Sequence, residues 1–173
     1  MTTLRPRCDP GGVDRTLAPA QQDAAGLVFF ALVIWREARG EPLLAQAGVA
    51  HSILNRVARP SWWGRSLLEV LFKRLQFSSM TDPTDRQLTT WPVPGTASWP
   101  AWLQAMDVAS SALAGTLPNP VPGADTYHDV SIETPASWGS PRFVGQLGRI
   151  RFFDVDQDVE PLDVKWPPPT PAP

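Results

Sequence analysis

Along this chain the apolar residues recur first at helical and then at extended spacing. Between Pro19 and Ala38, the residues Leu27, Phe30, Ala31, Ile34 and Ala38 return every three or four positions, which places them on one helical face. The flanks of that stripe are also nearly all apolar, so this first helix is expected to be buried on most sides. Arg39-Gly40 should end it, with Gly40 as a left-handed cap. A second helix is expected from Pro42, a good first-turn residue, to about Arg59. Its core stripe would be Leu43, Ala47, Ala50, Leu54 and Val57, and Pro60 would stop it. A third, shorter helix is expected over about residues 66–75, and a fourth over about 100–114, closed by Gly115. Residues 78–98, with Pro83, Pro92, Pro94 and Gly95, read as loop, and the three prolines within 117–123 read as a turn. Short extended runs then appear near 125–129 and 144–155. Helices followed by a small antiparallel β element predict an α+β fold that is mainly α.

Both ends differ from this middle. Residues 1–18 read as an irregular arm, because Arg5-Pro-Arg-Cys-Asp-Pro-Gly-Gly12 is crowded with helix breakers. Residues 156–173 read as an acidic, proline-rich tail ending in Trp166-Pro-Pro-Pro-Thr-Pro-Ala-Pro173, which cannot be helical. The expected domain is therefore 19–155. Eight Trp and seven Phe are too many for a chain disordered throughout. A single cysteine, Cys8, excludes an internal disulfide framework and a cysteine-based zinc site.

A formal charge of -2 argues against a uniformly basic nucleic-acid binder. That charge is unevenly spread. Asp154, Asp156, Asp158, Glu160 and Asp163 face only Lys165 in the last stretch, so the body is mildly basic and suits an anionic polymer. The apolar run 26–35 is about half a membrane span and lies too deep for a signal peptide. The expectation is a protein made in the cytoplasm without a cleaved signal and without stable membrane insertion.

Two of the five glutamates, Glu37 and Glu41, bracket the break between the first two helices. Glu37 lies in the last turn of an apolar helix, where burial and the negative dipole end both disfavour a carboxylate and raise its pKa. Glu41 opens the next helix, where the positive end keeps it ionised and suited to capping. One acid that holds its proton beside one that does not is the split required for acid catalysis at neutral pH. The competing reading makes Glu37 a surface ion-pair partner of Arg36 and Arg39. Trp62, Trp63, Trp91, Trp99, Trp102 and Trp138 fall in or beside loops, and one or two of them would face a cleft, where indole faces stack on sugar rings. His51 reads as structural, and His128 lies in Thr-Tyr-His-Asp on a short strand or turn. The two histidines lack metal-ligand spacing, and the run 154–160 resembles half a calcium loop without its glycine, so no metal is expected. No phosphate loop, dinucleotide fingerprint or nucleophile elbow is present, and no cofactor is expected.

Several segments together resemble the SleB-type cell-wall hydrolases, the spore-cortex-lytic enzymes and their phage relatives, over about residues 28–153. They are Trp35-Arg-Glu-Ala-Arg-Gly-Glu-Pro42, Gln46-Ala-Gly-Val-Ala50, Ile53-Leu-Asn-Arg-Val57, Gln76-Phe-Ser78, Gly123-Ala-Asp-Thr-Tyr-His128, Trp138 and Gln146-Leu-Gly-Arg-Ile-Arg-Phe152. The resemblance implies a lysozyme-like domain that cuts the glycan strands of peptidoglycan, often as a lytic transglycosylase. It implies Glu37 as the catalytic acid, with Gln76, Ser78, Tyr127, His128 and Trp138 along the cleft and Glu41 structural beside it. The chain departs from the family pattern in three places. Thr-Tyr-His-Asp replaces a Tyr-rich run, Ile150 stands where a His is usual, and 81–98 looks inserted. With no signal read in the sequence, a phage or prophage lysin served by a holin-type pore, or a virion component, is the expected setting.

Overall fold

The computed structural model describes residues 19–156, so the expectations for the arm, the tail and Cys8 lie outside the described residues. Helix α1 spans Pro19–Ala38, and its apolar flanks have the predicted consequence: 30–36 and Ala38 are all buried. Helix α2 follows over Leu43–Ala58. The link between them contains no left-handed residue. Glu41 N–H instead closes onto Ala38 C=O at 2.9 Å, so Gly40 is not the cap expected of it. Pro42 starts the next helix at once and disfavours helical backbone at Glu41. Leu43 is 53% exposed and leaves the predicted core stripe, because the first turn of α2 projects beyond the packed layer.

Helix α3 is only Leu67–Leu71, capped by Ser66 Oγ accepting from Glu69 N–H, and the chain turns before reaching 75. The stretch expected to be loop contains a short helix α4, Ser78–Thr81, and a 3-10 turn, Arg86–Thr89. Helix α5, Trp99–Leu113, lies against α1 and α2, and Gly115 takes the left-handed conformation that ends it. Strands β1 (Thr126–Asp129), β2 (Arg142–Leu147) and β3 (Ile150–Asp154) form an antiparallel sheet in the order β1-β3-β2. The extended run expected over 144–155 is thus a hairpin turning at Gly148, whose φ of 57° suits glycine. The α+β class, mainly α, is the fold observed.

Periodicity two decides what each strand residue meets. Phe152 and Tyr127 pair across β3 and β1 with ring centroids 5.9 Å apart, on the face turned to α2. There α2 approaches so closely that a Cβ on Gly48 would stand 2.6 Å from the Phe152 ring. His128, Phe153 and Trp138 gather on the other face, with the His128 and Phe153 rings stacked at 5.1 Å. The acid that closes β3 does not face water. Asp154 is 2% exposed and holds Arg142 at 2.7 Å and Arg59 at 3.8 Å. Among the described residues, no helix is long and apolar enough to cross a membrane, and no group of three His, Cys, Asp or Glu could hold a metal ion.

Candidate active site

A cleft of about 620 Å³ opens where the C-terminal ends of α1 and α2, the 75–78 turn and β1 converge. Glu37, Arg56, Gln76, Ser78, Tyr127 and Trp138 are among the residues that line it. Glu37 reaches it from the last turn of α1. Arg56 comes from α2 and Tyr127 from the sheet face that packs on α2.

Glu37 is not in the surface ion pair that its arginine neighbours suggested. Arg36 is buried and turns away. It donates to Ser79 C=O at 2.6 Å and to Leu88 C=O and Thr90 C=O at 3.0 Å, with its guanidinium 5.1 Å from the Trp91 ring centre. Arg39 lies over Trp35 and donates to Gln87 Oε1 at 2.6 Å. These two arginines fasten the apparent insertion 81–98 to the end of α1, just beside Glu37. Ser79, held by Arg36 through its carbonyl, donates its hydroxyl to Glu37 Oε1 at 2.6 Å.

Burial pushes the Glu37 pKa up, and nearby Asp85 adds to the rise. The Ser79 hydrogen bond, the neighbouring Tyr127 hydroxyl and Arg56 offset part of it. Tyr127 sits close enough to Glu37 for the two to perturb one another, yet its hydroxyl completes no well-formed hydrogen bond. Burial, followed by the adjacent carboxylate, drives the Tyr127 pKa well above its ordinary value, so the phenol keeps its proton. Arg56 runs beneath the site, donating to Asp125 C=O and, at 2.8 Å, to Gln76 Oε1, with its guanidinium 5.3 Å from the Phe77 ring centre. Burial works against its charge, and Tyr127, Asp125 and Glu37 support it.

The structure brings together Glu37, Gln76, Ser78, Tyr127 and Trp138 and separates out two other expected residues. The Ser78 hydroxyl turns to Asp85 Oδ2 at 2.6 Å, so it is Ser79 that holds Glu37. His128 does not line the cleft. It is 7% exposed on the opposite sheet face from Tyr127, with its ring nitrogens 2.8 Å from Asp129 O and 3.1 Å from Thr134 Oγ1. Adjacent strand residues point to opposite faces, and from there His128 backs Trp138 at 5.7 Å between ring centres. Glu41 makes a structural contact, though not by capping α2, which has no side-chain cap. Its carboxylate instead accepts Arg149 N–H at 2.8 Å and so ties the β2–β3 turn to the α1–α2 link. Of the loop tryptophans, Trp62 and Trp138 face the cleft, while Trp63 is 2% exposed and forms wall.

Three site residues were missed: Arg36, Arg56 and Ser79. A charged residue on an otherwise apolar helix stripe, such as Arg56 three and seven positions after Ile53 and Val49, is the available signal.

No curated protein matches the chain. Among solved structures, it is similar to the catalytic domain of the Bacillus cereus SleB protein, at 24% identity and a TM-score of 0.55 over 82% of this chain and 99% of that one. It is likewise similar to the catalytic domain of the germination-specific lytic transglycosylase SleB from Bacillus anthracis, at 22% identity and a TM-score of 0.56 with the same coverage. The cell wall hydrolase family model matches residues 40–153, a stretch that begins just after Glu37 and takes in Arg56, Gln76, Tyr127 and Trp138. That match spans most of the chain and the greater part of the cleft lining, and the protein therefore belongs to the cell wall hydrolase family.

Proposed function

We propose that this protein cleaves the β-1,4 bond between N-acetylmuramic acid and N-acetylglucosamine in peptidoglycan, as a lytic transglycosylase with Glu37 as its one catalytic acid and base. The observation that carries this reading is a part-buried carboxyl group at the cleft floor, with a raised pKa and one oxygen held by Ser79. A raised pKa favours the protonated form, which is what a general acid requires. The family membership and the likeness to the germination-specific lytic transglycosylase of Bacillus anthracis support the same chemistry.

In the first step Glu37 gives its proton to the glycosidic oxygen as the C1–O bond breaks and positive charge develops on the muramyl ring. The muramyl 6-hydroxyl then bonds to C1, and the ionised Glu37 takes the hydroxyl proton. The carboxyl is thereby restored and a 1,6-anhydro end is left. Arg56 stabilises the transient carboxylate, and the protonated Tyr127 is placed to donate to it or to the sugar. Gln76, oriented by Arg56, would bind the N-acetyl group with its amide. Because the substrate supplies the nucleophile, no second carboxylate is needed.

Hydrolysis on the same cleft is the second reading, and one observation favours it. Hydrolysis needs a second carboxylate to activate water, and Asp125 and Asp129, which flank Tyr127 two positions away on either side, are taken. Asp125 accepts Val155 N–H, Asp156 N–H and the Thr126 hydroxyl, and Asp129 holds Ser131 and Arg149. Asp156, however, lines the cleft and could activate water there. Digestion of purified sacculi followed by product masses decides between them. Anhydro ends, lighter by one water than reducing ends, are expected, and Asp156→Asn should leave their yield unchanged. Glu37→Gln should lower the rate by roughly two or more decades. Near parental digestion by Glu37→Gln would overturn the assignment.

A further inference from the structure

Leu75 is the one described residue other than glycine with a left-handed backbone, at φ 68°. It is the third residue of a turn closed by Gln76 N–H onto Lys73 C=O at 3.1 Å, a position that glycine or asparagine fills more easily. Its side chain is 80% exposed, the highest value among the large exposed hydrophobic residues. The backbone is crowded by its own Cβ, and an apolar side chain stands in water. Neither feature helps the fold, and strain of this kind collects where function holds it. Both occur at the cleft. Leu75 lines it together with Trp62, which is 60% exposed and leans on buried Trp63 with ring centroids 5.3 Å apart. Glu37, Arg56 and Tyr127 make up the enclosed end of the cleft, and Leu75 and Trp62 are its open lip.

We propose that Leu75 and Trp62 form a sugar-binding lip, on which the C–H face of a hexosamine ring of the glycan strand rests, away from the bond being cut. The left-handed turn holds Leu75 out over the cleft while Gln76, the next residue, reaches Arg56. An indole face and an uncharged branched alkyl group match the apolar face of a pyranose better than the charged peptide stems attached to the strand. This inference rests on the glycan-cleaving reading above and adds where the strand is gripped.

The test compares Leu75→Gly, Leu75→Asn and Trp62→Ala, each in a Glu37→Gln background. Binding is measured by co-sedimentation with intact sacculi, and with size-selected glycan strands freed of peptide stems by fluorescence polarisation. Leu75→Gly and Trp62→Ala should bind both ligands about tenfold more weakly. Leu75→Asn, which tolerates the turn but lacks the alkyl group, should weaken binding similarly. Leu75→Gly should also melt about 2–5 °C higher, because the strain is gone. In the active enzyme, Leu75→Gly should raise KM and leave kcat close to parental, as for a contact made equally before and during reaction.

Unchanged binding to stripped strands, or weakening confined to strands carrying peptide stems, would overturn the sugar lip. So would a lower melting temperature for Leu75→Gly with unchanged binding, which would make the turn merely structural. A failure of the catalytic reading is seen separately, as digestion of sacculi by the Glu37→Gln parent.

Discussion

Two regions bury acidic side chains, and they treat them in opposite ways. At the end of the sheet, Asp125 is fully buried, and its two oxygens accept the backbone N–H groups of Val155 and Asp156 and the Thr126 hydroxyl. Asp154 beside it meets Arg142 and Arg59. At the cleft, Glu37 has one hydrogen bond among the described residues, from the Ser79 hydroxyl, and the hydroxyl of its other neighbour, Tyr127, completes none. The sheet acids therefore act as fasteners for the chain where it leaves β3. The cleft acid is left with an open side, and its burial favours the protonated form. Burial alone does not single out Glu37 among the acids; burial with unfilled hydrogen-bonding capacity does, and it is on this that its proposed catalytic role rests.

That contrast can be broken most severely at the sheet. Asp154→Ala leaves Arg59 as a buried cation with only the Gly123 carbonyl at 2.6 Å, and should cost about 3–5 kcal/mol in urea unfolding. Glu37→Gln should do the reverse, losing activity and gaining stability. Because burial raises the Glu37 pKa, the folded state favours the protonated acid. Its contribution to stability is present below the ordinary carboxylate range and is lost as pH rises through the raised value. Thermal melts of parent and Glu37→Gln should therefore coincide at acid pH and separate in favour of Gln towards neutral pH. The same titration predicts that parental turnover falls on the alkaline side as Glu37 loses its proton, which a pH–rate profile checks.

A smaller effect is expected where α2 meets β3. Gly48→Ala gains helix propensity but drives a methyl into the Phe152 ring, which is 0% exposed and has nowhere to move. The net loss should be about 1–2 kcal/mol by chemical denaturation. Arg142→Ala removes a half-exposed partner while Asp154 keeps Arg59, and should shift the unfolding midpoint by less than about 1 kcal/mol.

Patterning was legible wherever one element's own periodicity decides the outcome. Helix α1 coincides with its predicted bounds, α2 and α5 differ from theirs by about a residue at each end, and the class follows from helices preceding short strands. Glu37 could be singled out because its surroundings, an apolar helix end, are written in its sequence neighbours. Elements shorter than a few turns were less legible. Helix α3 stops before its expected end and α4 forms where loop is expected, since a single turn of helix depends on what it packs against.

What the sequence determined by itself was the set of long helices, the mainly α class and the lone acid at a helix end, since each depends on residues close together in the chain. Tertiary structure alone decided that Ser79 rather than Ser78 touches that acid, across forty-two positions. It decided that His128 turns away from the cleft while Tyr127 turns in, and that Glu41 fastens a turn 108 positions ahead. Such pairings depend on the relative placement of packed elements. A shift of one residue in a strand or a short helix exchanges which side chain faces the site, and the local spacing of apolar residues does not record that choice.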